Sequence, residues 1–371
     1  MPHIVIVGGG FAGVWSAAAA ARLRGESDLR ITLIAPGGDL VLRPRLYEPD
    51  PEQAAVALKR ILGPIGVDHV RAAVQDIDVG GHRVIADGET IGYDRLVLAA
   101  GSRLVRPGVP GAERLFDVDT LPAARRLRGH LRDRDGYRAV VVGAGFAGLE
   151  VATELAGKGH VVLVEKAGEV APDLGFGPRP AIEVALDRLN VERRLNTTVT
   201  EVREGGAVLS DGSPIPADAV IWTAGLQASP LTARIPGDRD HLGRLTVDAH
   251  LRVDGDVFAA GDVAAARADG DHWTVQSCQH AVPMGKTAGH NAAADLLGLP
   301  LIDFAPAPYV TGLDLGAAGA VYARGWDRLI ALSGAEGRWV KRWIMDVIRP
   351  PVDDAATLLA HAAVVTTPIP F

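Results

Sequence analysis

"PHIVIVGGGFAGVWSAAAAARLRG", residues 2–25, runs from a β-branched strand through Gly8, Gly10 and Gly13 into an alanine-rich helix. Strand, glycine triplet and helix in that order make the tight turn that brings backbone N–H groups and a helix N-terminus up to a pyrophosphate. A lone glycine triplet says little. The same pattern returns at "YRAVVVGAGFAGLEVATELAGKG", residues 137–159, where Gly143, Gly145 and Gly148 keep the spacing. The repeat predicts an α/β chain with two Rossmann-like dinucleotide-binding units.

Each fingerprint should be followed, about 20 residues on, by an acid that takes a ribose hydroxyl. After the second, "HVVLVEK" ends on Glu165, a carboxylate that would bind a 2′-OH and repel a 2′-phosphate, which favours NADH over NADPH; Lys166 beside it weakens that preference. After the first, "RITLIAPGGDL" puts Ala35 at the expected place and Asp39 a few residues beyond. Either Asp39 serves the ribose or no acid does.

Between and after the two units, "RLVLAAGS" (95–102), "DAVIWTAG" (218–225) and "GDVFAAGDVA" (255–264) are short apolar strands ending in small residues, which let backbone pass close to a cofactor. The last carries Asp262, a carboxylate suited to a polyol.

The chain of 371 residues is 48% hydrophobic, enough for two or three buried cores, and its formal net charge of -7 argues against a general nucleic-acid surface. A single cysteine excludes an internal disulfide, and no metal-ligand spacing stands out. With no signal segment and no apolar run of about 20 residues, a cytoplasmic protein is expected, with a peripheral contact at the inner face of a membrane left open.

The two fingerprints with these strands resemble the two-dinucleotide-binding-domain flavoproteins of the pyridine nucleotide-disulfide oxidoreductase superfamily, over roughly residues 1–305. The resemblance implies an FAD domain from 1–110 and 245–305, an inserted NAD(P)H domain from 111–244, and a small C-terminal α+β region from 306–371. It implies FAD contacts at Gly8, Gly10, Phe11, Ala12, Gly13, Ala35, Arg43, Gly101, Gly261, Asp262, Gln279, His280 and Ala281. NADH contacts fall at Gly143, Gly145, Gly148, Glu165 and Gly225.

Without a second cysteine the dithiol relay of the glutathione- and thioredoxin-reductase types is closed, as is persulfide handling. The branch without these cysteines includes the type II NADH dehydrogenases, which "LRPRLYEP" (42–49) and Glu150 in "GFAGLEVATEL" resemble. That family's Ala-Gln-x-Ala-x-x-Gln-Gly helix, laid on "SCQHAVPMGK" (277–286), keeps Gln279 and replaces the second glutamine by Met284. A thioether cannot donate to a quinone carbonyl, so Met284 marks an altered acceptor pocket.

The expected chemistry is hydride transfer from NADH to flavin N5 and delivery of electrons to a quinone-like small molecule, with the N-terminus of the helix from 279 facing the reduced flavin's negative charge. Glu150 is a proton-relay or gating group, or else an interface carboxylate. Gln279 is the flavin-side or acceptor-side contact, Tyr47 a flavin contact or a core aromatic, and Cys278 a small spacer. A reductase of an aromatic metabolite or ferredoxin, and a flavin-bound NADH sensor, are the alternatives.

From 306 the alternating, glycine-punctuated sequence predicts a small antiparallel sheet, then a helix in "GRWVKRWIMDVIRPP" with Trp339, Trp343 and Val347 at four-residue spacing. These tryptophans would cover the flavin domain, seam a homodimer or touch a membrane surface.

Overall fold

The computed structural model describes residues 1–134 and 136–363; the expected Pro-Ile-Pro-Phe tail lies outside them. Continuous Ile/Val/Leu runs make strands buried on both faces, as a parallel sheet covered on both sides demands. In spatial order the first sheet is Arg252–Asp254, Val257–Ala259, Arg95–Leu98, His3–Val7, Arg30–Ile34 and Asp68–Val70, parallel throughout except at the Arg252–Asp254 edge. Helix α1 (Phe11–Arg24) crosses between its first two strands.

The second sheet, all parallel, is ordered Glu192–Arg194, His160–Val164, Arg138–Val142 and Ala219–Trp222, with helix α2 (Phe146–Leu155) as the crossover. Each unit carries a three-stranded antiparallel sheet as well, one over 74–92 and one over 199–216. The strand Val257–Ala259 returns to pair with Arg95–Leu98, so the first unit is discontinuous and the second is inserted into it. Ser102–Leu104, on the way out, pairs antiparallel with Leu226–Ala228 on the way back, and this two-stranded ribbon joins the units.

Helix α3 (Cys278–Leu297) lies along α1 with almost no space between backbones. A Cβ on Gly285 would sit 2.3 Å from the carbonyl oxygen of Ala12, and one on Gly289 2.0 Å from that of Ser16. Ser16 Oγ spans the same gap, donating to the Gly285 carbonyl at 3.0 Å. Only glycine permits this approach, and the approach fixes where the N-terminus of α3 points.

The predicted C-terminal sheet is present as the antiparallel strands Val310–Asp314, Ala320–Arg324 and Leu329–Ser333, followed by α4 (Gly334–Val347) and α5 (Ala355–His361). Its Leu313, Leu315 and Val321 join the core of the second unit around Leu149 and Leu155, while Leu358 of α5 joins the core of the first. The C-terminal region therefore touches both dinucleotide units.

Of the three readings of the α4 tryptophans, cover of the flavin domain does not fit Trp339, while Trp343 is half-buried. Gly337, Val340, Lys341 and Met345 form the buried face, whereas Trp339 and Val347 are 57% and 54% exposed. The four-residue spacing of large apolar residues marked the solvent side because the inward side needed a glycine: a Cβ on Gly337 would lie 2.4 Å from the Ala320 carbonyl oxygen. Among the described residues no helix is long and apolar enough to cross a membrane.

Candidate functional site

The two glycine loops superpose in their logic. Gly8 has φ +125°, and a Cβ there would meet the Ala99 carbonyl oxygen at 2.1 Å; on Gly13 it would meet that of Gly8 at 1.9 Å. Gly10, the N-cap of α1, faces open space with nothing within 4 Å. Two glycines thus press strand, loop and helix together while the third leaves room in front of the helix N-terminus for a diphosphate. In the second unit Gly143 (φ +106°) and Gly148, whose Cβ would lie 1.8 Å from the Gly143 carbonyl oxygen, do the pressing, and Gly145 caps α2. Phe11 and Ala12 begin α1, mostly buried.

The strand ends differ. Glu165 is buried and accepts N–H bonds from Ala144 in the glycine loop at 2.7 Å and from Ala167 at 2.9 Å, so its carboxylate ties the loop to the ribose side of the site. Ala35 is buried with no polar side chain to offer, and Asp39 is exposed at the start of a short strand pair. Next to Ala35, His69 bonds its backbone and leaves Nε2 buried without a partner among the described residues. Burial holds the His69 pKa below its ordinary value.

At the flavin end, Gly261 takes φ +74°, which any Cβ would resist, being 2.8 Å from the Ala12 side chain and 3.5 Å from that of Ala281. Asp262 follows at the start of a 3-10 turn. Its Oδ2 accepts from Ser102 Oγ at 2.6 Å and from Arg43 at 3.5 Å, and Arg43 is also paired with Asp119. Among the described residues Oδ1 accepts no side-chain hydrogen bond. Gly101 (φ +69°) immediately precedes Ser102, and Gly225 (φ +87°) the returning strand of the ribbon.

Five residues of "SCQHAVPMGK" occupy places that sequence spacing did not separate. Ser277 caps α3, accepting from His280 N at 3.4 Å. His280 is buried, its Nδ1 accepts the Val275 N–H at 3.0 Å, and burial pushes its pKa down to about 4; it stacks on Tyr309 at 5.7 Å between centroids. A neutral ring already used by backbone and aromatics is a packed histidine. Burial pushes the Cys278 thiol up, which keeps it protonated and inert.

Gln279 spends both ends of its amide on the chain itself: Nε2 donates to the Pro308 carbonyl at 3.1 Å and Oε1 accepts from Val310 N at 3.3 Å. It clamps the C-terminal sheet to the head of α3. Met284 is 1% exposed within the first unit's core, so it lines no open pocket, because the helix turns that side chain inward beside Gly285. The acceptor has to be sought elsewhere.

Glu150 supplies the direction. It is 3% exposed, one turn into α2, and its Oε1 accepts from Lys341 Nζ at 2.9 Å and from Asp314 N at 3.2 Å. Burial, against the Lys341 charge, pushes its pKa up to about 7. Lys341 also lies 5.3 Å from the Phe146 ring centroid. Tyr47, buried beside them and hydrogen-bonded to Asp314, has its pKa raised by burial and by the carboxylates of Glu150 and Asp314. Sequence reading gave Lys341 no role; its signal was its place on the inward stripe with Gly337, Val340 and Met345. Ser102, Asp119 and Asp314 carried no sequence signal, since chain segments far apart bring them to the site.

Outside this cluster lies a cleft of 590 Å³ between residues 45–53, Glu154 of α2 and the inner edge of α4. Among the described residues no group of three His, Cys, Asp or Glu side chains could hold a metal ion.

The sequence profile of the pyridine nucleotide-disulphide oxidoreductase family matches residues 2–285. The chain belongs to this family. It is 44% identical, over the full length of both chains, to an NADH dehydrogenase-like protein of Mycobacterium tuberculosis, which places it in the type II NADH dehydrogenase-like branch. It is 28% identical to a demethylphylloquinone reductase of Synechocystis over 86% of each chain. Among solved structures, the ferredoxin reductase for the CYP199A2 system of Rhodopseudomonas palustris superposes with a TM-score of 0.74 at 25% identity, covering 87% of this chain and 82% of that one. An NAD-dependent persulfide reductase of A. fulgidus gives 0.77 at 22% identity, with 87% of this chain covering 64% of that longer one. This protein is thus an NAD(P)H-dependent flavoprotein oxidoreductase.

Proposed function

We propose that the protein takes hydride from NADH onto bound FAD and passes the electrons to a quinone or quinone-like small molecule. One observation carries the reading: two glycine cradles, the first open at its helix N-cap and only the second with a carboxylate at its strand end, stand in a chain with a single cysteine. The first cradle, Asp262 Oδ1 and the head of α3 would hold FAD. The second, with Glu165, would hold NADH, because a buried carboxylate repels a 2′-phosphate.

FAD, when bound, supplies the two-electron carrier. The residues supply the rest. Arg43 and Ser102 orient Asp262, and the dipole of α3 favours negative charge at its N-terminus. Glu150 Oε1 is committed to Lys341 and Asp314, so Oε2 is the atom that holds an exchangeable proton near neutral pH. The demethylphylloquinone reductase relative, by its name a quinone reductase, supports the acceptor class. The exposed Trp339 and Val347 of α4 would meet a peripheral membrane surface or a second copy.

The purified protein should be yellow and should oxidise NADH with a soluble naphthoquinone as acceptor, with NADPH at least roughly tenfold poorer in kcat/KM. A colourless protein, or a yellow one that reduces a ferredoxin and no quinone, would sink this assignment.

A further inference from the structure

The cleft beside the Glu150–Lys341 pair carries an inference that rests on the reading above and goes further. Its inner end is bounded by Tyr47 and Lys341. That end is close to the flavin side of the molecule for two independent reasons. The Lys341 charge acts on the Cys278 thiol at the head of α3, and Gln279 of the same helix clamps the strand Val310–Asp314, whose last residue donates to Glu150. The cleft is also separate from the second cradle. Its α2 contribution is Glu154, more than two turns beyond the N-cap Gly145 where the diphosphate of NADH would lie.

The walls are the informative part. Nine of the fifteen lining residues are charged, five acidic and four basic. Arg45 pairs with Glu48 at 2.8 Å and Arg338 approaches Asp314 at 3.7 Å, while Arg342 and Asp346 at the outer rim form no ion pair with other described residues. An apolar chain laid through such a passage would strip water from these charges and return no hydrogen bond. A volume of 590 Å³ suits a bicyclic ring with some of its water.

We propose that this cleft admits the electron acceptor, and that the acceptor is a small water-soluble quinone without an isoprenoid tail. Lys341 Nζ, with protons to spare beyond the one on Glu150, is the donor to a ring carbonyl at the inner end, beside the Tyr47 ring. The reaction balances as NADH plus one proton plus quinone giving NAD⁺ plus hydroquinone. NADH furnishes both electrons and one proton as hydride, solvent furnishes the second proton by way of Glu150 Oε2, and both carbonyl oxygens become hydroxyls.

The test holds NADH fixed and compares 2-methyl-1,4-naphthoquinone with the same ring bearing one, two and four prenyl units, all in one detergent, using the FAD-loaded full chain. The expected result is a kcat/KM that falls roughly tenfold or more along the series. A rise with tail length overturns the inference and leaves the quinone reading standing. If NADH bleaches the flavin but no quinone restores its colour, both fall. Asp346→Trp, a change on the exposed side of α4 that narrows the rim, should raise the naphthoquinone KM about tenfold, with the KM for NADH measured alongside. An acceptor KM that does not move also overturns the proposal.

Discussion

The two glycine cradles have the same backbone and different ends. Both press strand to helix with a glycine, Gly13 or Gly148, whose Cβ position is already occupied by a carbonyl oxygen, and both set a glycine at the helix N-cap, open at Gly10 and 3.4 Å from the Asp173 carboxylate at Gly145. The second closes its ribose side with Glu165, which also holds the loop through Ala144. The first offers Ala35 and an orphaned His69 nitrogen instead. The loop determines that a dinucleotide binds; the strand end determines how selectively. A ligand held along its whole length by one unit, as FAD is expected to be, has less need of a ribose acid than one that must be distinguished from its 2′-phosphate at each turnover.

Charge placed at the N-cap glycines should separate the cradles most strongly. Aspartate is a good N-cap, so Gly10→Asp and Gly145→Asp should both fold, yet each sets a carboxylate where a diphosphate belongs, at a cost of about 3 kcal/mol. Gly10→Asp should yield colourless protein. Gly145→Asp should yield yellow protein whose NADH KM rises about a hundredfold. If both are colourless, the units do not bind independently.

The buried pair comes next. Lys341→Met should cost about 3 kcal/mol of stability in denaturant melts by stranding Glu150, and adding Glu150→Gln should restore most of it. Glu150→Gln alone bears on pH. With the carboxyl pKa raised by burial to about 7, the proton on Oε2 is lost as pH rises through that value, so acceptor turnover should decline there and the glutamine variant should lose the limb. The linked stability has the same sign: the folded state holds this proton more tightly than the unfolded chain, so Glu150 costs stability as pH climbs from the ordinary carboxylate range to about 7. A profile that is the same in both proteins would remove Glu150 from the proton path.

Smaller effects test the strand ends. Glu165→Gln should raise the NADH KM about tenfold and narrow the gap to NADPH. Ala35→Asp should change FAD affinity by no more than about threefold in a fluorescence titration, whereas a large gain would mean that the first cradle lacks an acid it could use.

The fold was legible because its signals are local: a glycine triplet between a β-branched run and an alanine helix reads the same in any context. Much of the reaction site was not, and the reason is geometric. Glu150 and Lys341 are 191 residues apart and meet only because the C-terminal sheet packs on α2. Gln279 and Met284 lie on one helix, and their distance apart in sequence did not say that the first would be spent on Pro308 and Val310 and the second turned into the core. Lys341 had no assigned role until its helix was seen to bury the face that carries it.

Anaerobic mixing of the yellow protein with NADH, followed at the flavin absorbance, tests the central claim most directly. The account predicts single-turnover bleaching by NADH, at least roughly tenfold slower with NADPH, and needing about a hundredfold more NADH in Gly145→Asp while the bound FAD is retained. Equal or faster bleaching with NADPH, or an unchanged NADH dependence in Gly145→Asp, would contradict it.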